Sequence, residues 1–313
     1  MKLATTIGMY GDDFPSEQAE YQAIAAGGFR YVNYNFPNMP LHRPTSMDYM
    51  AENWQEVALG HLALMQEAGL TPIQAHAPFC YPLPEEALEP MLTATIRTIE
   101  CCRVMGIPYI VVHPHAAIGM TVDEFIETNR AYFRRLIPAI EETGVSPLIE
   151  NIGHLRDPHF TRTGRELRNL IEAVDHPLFG ACWDVGHANH IMADQSESIR
   201  TLGSLLKGLH VHDNLGDLAP QNTPWYMDMH TFPLFGNTNF DCVIQSLLEI
   251  GYAGYFTFES DAPKPQRIRP PYVRDGVHID RLSSIFPELR KHALGYLHAT
   301  GRLMLQAHGC YEE

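Results

Sequence analysis

Carboxylate and imidazole side chains directly follow a series of short apolar segments in this chain. The clearest case spans residues 177–190, where an apolar run ends at Asp184 and His187 comes three residues later. A single Asp and His in one turn are usually just solvated, so this stretch alone decides little. The pattern recurs, however, and the segment ends that carry such a side chain are His76, His113, Glu150, Asp184, His210 and Glu259.

These residue types are the ones that bind divalent metals. Carboxylates placed close together raise each other's pKa, which makes a cluster of them costly, and a divalent cation removes that cost. Three further candidate ligands, His187, Asp228 and His230, lie in the loops beyond the segments. His212 follows His210 by two residues on the same face of the predicted strand, so either histidine could be the ligand.

Eight strand-like segments alternate with helical segments along the chain. Short apolar runs bounded by turn residues predict the strands, and apolar residues at helical spacing predict the helices. The predicted strands are residues 2–8, 29–36, 71–76, 109–115, 145–151, 177–184, 208–214 and 255–260. The first predicted helix ends near residue 26. The following helices are predicted over 50–68, 86–105, 122–142, 164–174, 196–206 and 241–250, and further helices follow the last strand to about residue 307.

This alternation indicates a parallel sheet with helical crossovers. Eight such units within 313 residues predict a single-domain α/β fold, a (β/α)8 TIM barrel over residues 1–313 with long loops at 214–240 and 261–279. A doubly wound sheet would normally carry a glycine-rich phosphate turn, and no G-x-G-x-x-G or P-loop pattern is present. The carboxyl ends of all strands meet at one face of a barrel, so the candidate ligands are expected to converge there.

The composition argues against several kinds of partner. With 22 basic and 37 acidic residues the net charge is −15, so the surface is expected to repel nucleic acid and anionic membranes. No apolar run reaches the roughly 20 residues that cross a bilayer. The six cysteines form no C-x-x-C pair and the N-terminus does not resemble a secretory signal, which predicts a cytoplasmic protein. The sequence leaves the oligomeric state open, although barrels of this kind often pair.

The motifs resemble the xylose-isomerase-like barrel superfamily of sugar isomerases and epimerases over nearly the whole chain. The patterns that carry the resemblance are Ile149-Glu150-Asn151, Asp184-x-x-His187, His210-x-x-Asp213 and Phe258-Glu259-Ser260. The resemblance implies one divalent metal, most often manganese, held by Glu150, Asp184, His210 and Glu259. Magnesium, cobalt and zinc are alternatives for such a mixed set of oxygen and nitrogen ligands.

The resemblance also implies a reaction in carbohydrate metabolism. Glu150 and Glu259 would act as acid and base on a small ketose or sugar phosphate, and the metal would stabilise an enediolate. His187 would lie near the substrate. A lyase or dehydratase acting on an oxidised sugar would use the same site, and a non-catalytic metal-binding protein is a further alternative.

Endonuclease IV, which binds three zinc ions and cleaves DNA at abasic sites, belongs to the same superfamily. Its extra ligands resemble His76, His113, Asp228 and His230, residues that could equally bind a sugar or a second metal. The acidic net charge and the absence of Lys and Arg from residues 215–231 argue against DNA as the substrate. We therefore expect a sugar isomerase or epimerase, with the nuclease as an alternative.

Two loops contain further candidate substrate contacts. Trp225 and Phe235, in the loop after the seventh predicted strand, could cover a sugar and exclude water, or could simply pack on the barrel. Arg267 and Arg269 lie in the most basic stretch of the chain, after the eighth predicted strand. Loops after strands seven and eight often bind phosphate in such barrels, so this stretch is a candidate anion site.

Overall fold

Eight parallel strands form a barrel at the centre of the molecule. The computed structural model describes residues 1–8, 14–38, 47–79, 85–117, 119–152, 160–216, 229–260, 273–274, 277–278 and 286–313. The barrel strands are β1 (Lys2–Ile7), β2 (Tyr31–Asn35), β3 (Thr71–His76), β4 (Tyr109–Val112), β5 (Ser146–Glu150), β6 (Gly180–Asp184), β7 (Leu206–His210) and β8 (Tyr255–Phe258). A separate two-stranded antiparallel hairpin follows, with β9 (Val273–Arg274) and β10 (Val277–His278).

The order of the strands is that of a TIM barrel. Each strand from β1 to β7 pairs with its neighbour in sequence, and β8 pairs with β1. An isolated parallel bridge between Val211 and Phe258 joins the two remaining edges. There the Val211 N–H donates to the Thr257 carbonyl at 2.9 Å, and the Glu259 N–H donates to the Val211 carbonyl at 3.1 Å. The predicted single-domain (β/α)8 barrel is confirmed.

Helices connect the consecutive strands and cover the outside of the sheet. They are α1 (Glu17–Ala26), α2 (Trp54–Glu67), α3 (Leu88–Met105), α4 (Val122–Arg134), α5 (Ile137–Thr143), α6 (Gly164–Val174), α7 (Val185–His190), α8 (Gln195–Leu202), α9 (Phe240–Glu249) and α10 (Phe286–Ala307). Thr121 and Thr163 begin α4 and α6 with capping boxes, in which a Glu three residues later closes the reciprocal bond. Among the described helices, none is both long and apolar enough to cross a membrane.

Several predicted boundaries were wrong, among them the end of the fourth strand, which lies at Val112 and not at residue 115. The helix predicted over 122–142 is broken at residues 135–136, because Pro138 has no N–H to donate and its ring would clash with the carbonyl four residues earlier. The helix predicted over 196–206 ends at Leu202, since Gly203 adopts a positive φ of 51° and a short 3-10 turn leads into β7. The seventh strand itself ends at His210, four residues before the predicted end.

The inner face of the barrel carries two stacked layers of side chains. Because alternate residues of a strand point to the same side, each candidate ligand lies above the residue two positions earlier. Beneath the ligands of β3 and β7 lie Gln74 and Gly208, and beneath those of β5 and β6 lie Leu148 and Cys182. Val111, Leu148 and Cys182 form a small buried cluster of their own, separate from the main core between sheet and helices. This lower layer, which we call the floor of the barrel, therefore lies directly beneath the candidate ligands.

Candidate metal centre

Four side chains from different strands meet at the carboxyl end of the barrel. Potential ligand atoms of Glu150, Asp184, His210 and Glu259 all lie within 4.8 Å of one another. The first three residues are fully buried, and Glu259 keeps 8% of its surface exposed. The Nδ1 atom of His210 lies 2.9 Å from a Glu150 oxygen and 3.2 Å from a Glu259 oxygen. The structure thus brings together the four ligands implied by the sequence resemblance.

Histidines supply the positive charge around these carboxylates. Within the described part of the chain, every ion-pair partner of Glu150, Asp184 and Glu259 is a histidine. Burial alone would raise the pKa of Glu150, but the charge of His210 and hydrogen bonds from neighbouring histidines hold it well below its ordinary value. Burial also acts against ionisation of Asp184, yet the nearby His187 and His212 lower its pKa to about 2.

His210 is the positively charged member of the group. Burial lowers the pKa of this imidazole, but its contacts with Cys182, Glu259 and Glu150 raise it well above its ordinary value. A proton on His210 therefore balances part of the negative charge of three buried carboxylates. A divalent cation at the same place would balance more of it.

The donor set fits a divalent metal. Three carboxylates and one imidazole supply oxygen and nitrogen ligands of the type that binds manganese, magnesium, cobalt or zinc. The Oδ2 atom of Asp184 is buried and accepts no hydrogen bond from the described residues, so it can take a ligand ion. These four residues would hold the metal, with Asp184 and His210 fixed by the ends of β6 and β7.

His76 and His113 lie on the β3 and β4 side of the centre. Their Nε2 atoms are 3.1 Å apart, and the Nε2 atom of His113 lies 2.9 Å from an oxygen of Glu150. Burial lowers the pKa of His113 more strongly than Glu150 raises it, so this imidazole favours the neutral form. The imidazoles of His76 and His210 stack at a centroid distance of 5.7 Å. Both histidines are therefore placed to hold Glu150 or to contact a second ligand.

A second group of histidines lies on the opposite side, next to Asp184. Potential ligand atoms of His187, His212 and His230 also lie within 4.8 Å of one another. His212 stacks on His230 at a centroid distance of 3.8 Å, and its Nε2 atom is 3.1 Å from Asp184. Of the two histidines that the sequence left open, His210 joins the four-residue cluster and His212 joins this one.

The connection after β6 explains how His187 reaches the centre. We predicted His187 in a loop, but it lies in α7, whose first residue follows Asp184 directly. The Asp184 carboxylate caps this helix by accepting the His187 N–H, and the His187 Nδ1–H donates to the Asn151 carbonyl at 2.9 Å. At Gly186 a Cβ atom would lie 1.9 Å from the His212 ring, so the helix can pass this imidazole only with glycine there.

The family of this chain follows from its sequence as well as its fold. A family model described as xylose isomerase-like TIM barrel matches residues 21–279. The chain belongs to this family. Two proteins with similar sequences are "Uncharacterized protein MJ1311" of Methanocaldococcus jannaschii and "Probable endonuclease 4" of Acholeplasma laidlawii. The first is 26% identical over 75% of this chain and 86% of its own length, and the second 24% identical over 68% and 72%.

Solved structures of sugar epimerases share the family fold. A structure described as a D-tagatose 3-epimerase-like protein superposes with a TM-score of 0.66 at 20% identity, covering 96% of this chain and 99% of its own. The 3-keto-D-glucoside 4-epimerase of E. coli gives a TM-score of 0.66 at 17% identity, with the same coverage. At these identities the likeness to the epimerases is one of fold.

Sequence reasoning missed the organising role of Asp213 in this member of the family. Its buried carboxylate accepts four backbone N–H groups, at distances of 2.9–3.1 Å. The donors are those of Asn214, Leu234, Gly236 and Thr238. This fixes the segment that follows His230 against the end of β7, and so places His230 beside Glu259. The signal available in the sequence was the spacing His210-x-x-Asp213.

Four of the predicted site residues fall outside the described residues, namely Trp225, Asp228, Arg267 and Arg269. Phe235 is 53% exposed and packs its ring beside Tyr296 of α10, at a centroid distance of 5.9 Å. Its role as a substrate cover stays a prediction.

Proposed function

We propose that the protein is a divalent-metal-dependent isomerase or epimerase of a small sugar. The observation that carries the proposal is the convergence of Glu150, Asp184, His210 and Glu259 within 4.8 Å at the carboxyl end of the barrel. The sugar epimerases among the solved structures of the same fold support the substrate class. Manganese is the proposed metal, because three oxygen ligands and one nitrogen ligand suit it.

Glu150 and Glu259 are the proposed acid and base. One carboxylate removes a proton from a carbon of the sugar, and the other returns a proton to the same or the neighbouring carbon. When bound, the metal supplies positive charge for the sugar oxygens that become negative as the proton leaves. Asp184 and His210 hold the metal. His113 hydrogen-bonds Glu150 and fixes its orientation, whereas Glu259 is the more accessible carboxylate of the pair.

Deuterium exchange tests this proposal. Manganese-loaded protein is incubated in D2O with a panel of ketoses, including D-tagatose, D-psicose and their phosphorylated forms. We expect deuterium to enter one carbon-bound position as the isomer or epimer forms, as measured by NMR and mass spectrometry. Glu150→Gln and Glu259→Gln should each lower the exchange rate by at least about 100-fold, because general acid–base catalysis typically contributes 10²–10⁴-fold.

Glu249→Gln is the matched control. Glu249 pairs with Arg200 on the surface, so its substitution should leave the exchange rate unchanged. A wild-type protein that binds the metal but exchanges no deuterium with any member of the panel would contradict the proposal. Accumulation of an unsaturated product instead of an epimer would indicate a lyase.

A specific observation also favours a second candidate function. His76 and His113 lie together on one side of the centre, and His187, His212 and His230 lie together on the other, so both groups could bind additional metal ions. A relative described as probable endonuclease 4 shares 24% identity over 72% of its length. A trinuclear zinc phosphodiesterase acting on abasic DNA would bind about three zinc ions per chain and nick such DNA. One metal per chain, measured by mass spectrometry of the metals, would rule it out.

A further inference from the structure

A buried glutamine lies beneath the candidate metal centre. Gln74 projects from β3 into the barrel, two residues before His76, and is 2% exposed. Its amide nitrogen is 3.2 Å from the Nε2 atom of His210. The side chain belongs to the floor of the barrel, and it contacts the one imidazole of the four-residue cluster from below. It contacts His210 at Nε2, whereas Glu150 and Glu259 contact His210 at Nδ1.

The geometry assigns different roles to the two nitrogens of His210. Nδ1 faces Glu150 and Glu259, at 2.9 and 3.2 Å, so it is the nitrogen that can bind a metal shared with these carboxylates. A neutral imidazole carries one N–H, and a nitrogen that binds a metal cannot be the one that carries it. The hydrogen must therefore be on Nε2 when the metal is bound. Nε2–H then needs an acceptor within the floor.

Gln74 can supply that acceptor. Its amide nitrogen and oxygen have nearly the same shape, so a half-turn of the amide places the oxygen where the nitrogen lies, 3.2 Å from His210. The Cys182 thiol also lies near His210 in the floor, but a thiol is a weak acceptor. The amide oxygen is thus the stronger partner for Nε2–H.

The opposite wall of the barrel leaves room for this amide. At Gly208, on the strand that carries His210, a Cβ atom would lie 2.4 Å from the Gln74 Oε1 atom and 2.7 Å from Leu148. Any larger residue at 208 would displace the glutamine or the leucine. Glycine at this position allows the amide to cross the barrel and reach the imidazole.

We propose that Gln74 is a positioning residue for the metal, whose amide oxygen accepts the Nε2–H of His210. This contact fixes the tautomer and the ring orientation that present a bare Nδ1 to the site shared with Glu150 and Glu259. The inference rests on the proposed metal centre and adds a residue that acts through a ligand. Outer partners of this kind typically change metal affinity by about 10–100-fold when they are removed.

Two substitutions separate a positioning role from simple packing. Gln74→Met keeps the length of the side chain but removes the acceptor, and Gln74→Glu keeps an acceptor in the same place. We expect the methionine variant to bind Mn2+ about 10–100-fold more weakly than the wild type, and the glutamate variant to bind it at least as tightly as the wild type. A packing role predicts instead that the methionine variant binds Mn2+ as tightly as the wild type, because methionine fills the same space.

Calorimetric titration with Mn2+ measures the affinities, and thermal unfolding of the metal-free proteins shows that each variant is folded. In the zinc-loaded wild type, nitrogen NMR of the histidine rings should show the hydrogen of His210 on Nε2. Equal affinity of Gln74→Met and wild type would overturn the proposal, as would a Gln74→Glu affinity as low as that of the methionine variant. A wild type that binds no metal would instead refute the metal centre itself.

Discussion

At the scale of single residues, the centre is distinctive because its buried carboxylates are surrounded by histidines. Within the described residues no lysine or arginine pairs with Glu150, Asp184 or Glu259. An arginine would remain charged permanently, whereas an imidazole can lose its proton and become a metal ligand. Cys182, Glu259 and Glu150 raise the pKa of His210 against the effect of burial, which favours a positive charge on this imidazole. Metal binding is therefore expected to release a proton.

Asp184→Asn tests the ligand role at this scale. The asparagine can still cap α7 by accepting the His187 N–H, so the fold should be retained. Loss of the charged ligand should weaken Mn2+ binding by more than roughly 100-fold, since loss of an outer partner alone has effects of 10–100-fold. Metal content and calorimetric titration measure this.

Asp194→Asn provides the comparison for that experiment. Asp194 caps α8 through the Glu197 N–H in the same way, but it lies outside the metal cluster. This variant should bind metal like the wild type. Equal metal affinity of both variants would show that Asp184 serves only as a helix cap.

At the scale of secondary structure elements, the ends of β5 to β8 each contribute one candidate metal ligand, and the segments after β6 and β7 hold theirs in place. β6 delivers Asp184, which then begins α7, and the carboxylate of Asp213 ties the segment after β7 to the barrel. The last helix has a different task. α10 packs against α1 and β1, and its Gly301 lies against Phe258 of β8.

Two glycines of α10 allow a matched test of this packing. At Gly301 a Cβ atom would lie 2.5 Å from the Phe258 ring, whereas at Gly295 no atom of the described residues would lie within 4 Å of it. Alanine normally stabilises a helix interior by about 1 kcal/mol relative to glycine. We expect Gly295→Ala to raise the free energy of unfolding by up to that amount. Gly301→Ala should lower it by about 1–3 kcal/mol, because the added methyl group overpacks the contact.

Urea unfolding curves of the two variants measure the difference. A gain in stability for Gly301→Ala as large as that of Gly295→Ala would show that α10 does not depend on close approach to β8. The contact between Gly301 and Phe258 would then contribute little to the packing of the last helix.

At the scale of the whole molecule, closure of the barrel creates the centre. The bridge at Val211 and Phe258 lies just below His212 and Glu259, so joining β7 to β8 also sets the distance between His210 and Glu259. Ligands from β5 to β8 are far apart along the chain and can meet only when these strands are all in place. A cation bound by them would bind the folded protein and not the unfolded chain.

Metal removal tests this coupling. At a free metal concentration of 100 times the Kd, binding to the folded state alone adds about 2.7 kcal/mol to the free energy of unfolding. Protein stripped with a chelator should therefore unfold at a temperature a few degrees lower, and Mn2+ should restore the loss. Scanning calorimetry measures the shift. The Asp184→Asn variant should show no such shift, and an identical Tm with and without metal in the wild type would contradict the prediction.

Much of the fold and of the candidate site was predictable from the sequence, for a local reason. Strands and helices follow from the spacing of apolar residues, and a barrel rim collects whatever ends its strands, so Glu150, Asp184, His210 and Glu259 were among the candidates. The choice of these four as one ligand set came from the family resemblance. Errors arose where one residue overrides periodicity. Pro138 broke the helix predicted over 122–142, and Gly203 ended the helix predicted to reach 206.

Only the tertiary structure decided which side chains meet and which atom faces which. It placed His210 with Glu150 and Glu259, and His212 with His187 and His230. The sequence could not separate His210 from His212, because they are two residues apart on the same face of the predicted strand. It also revealed that Gln74 touches His210 across the barrel. Contacts of this kind depend on the register and closure of eight strands, which are set by packing over the whole molecule and leave no local pattern in the sequence.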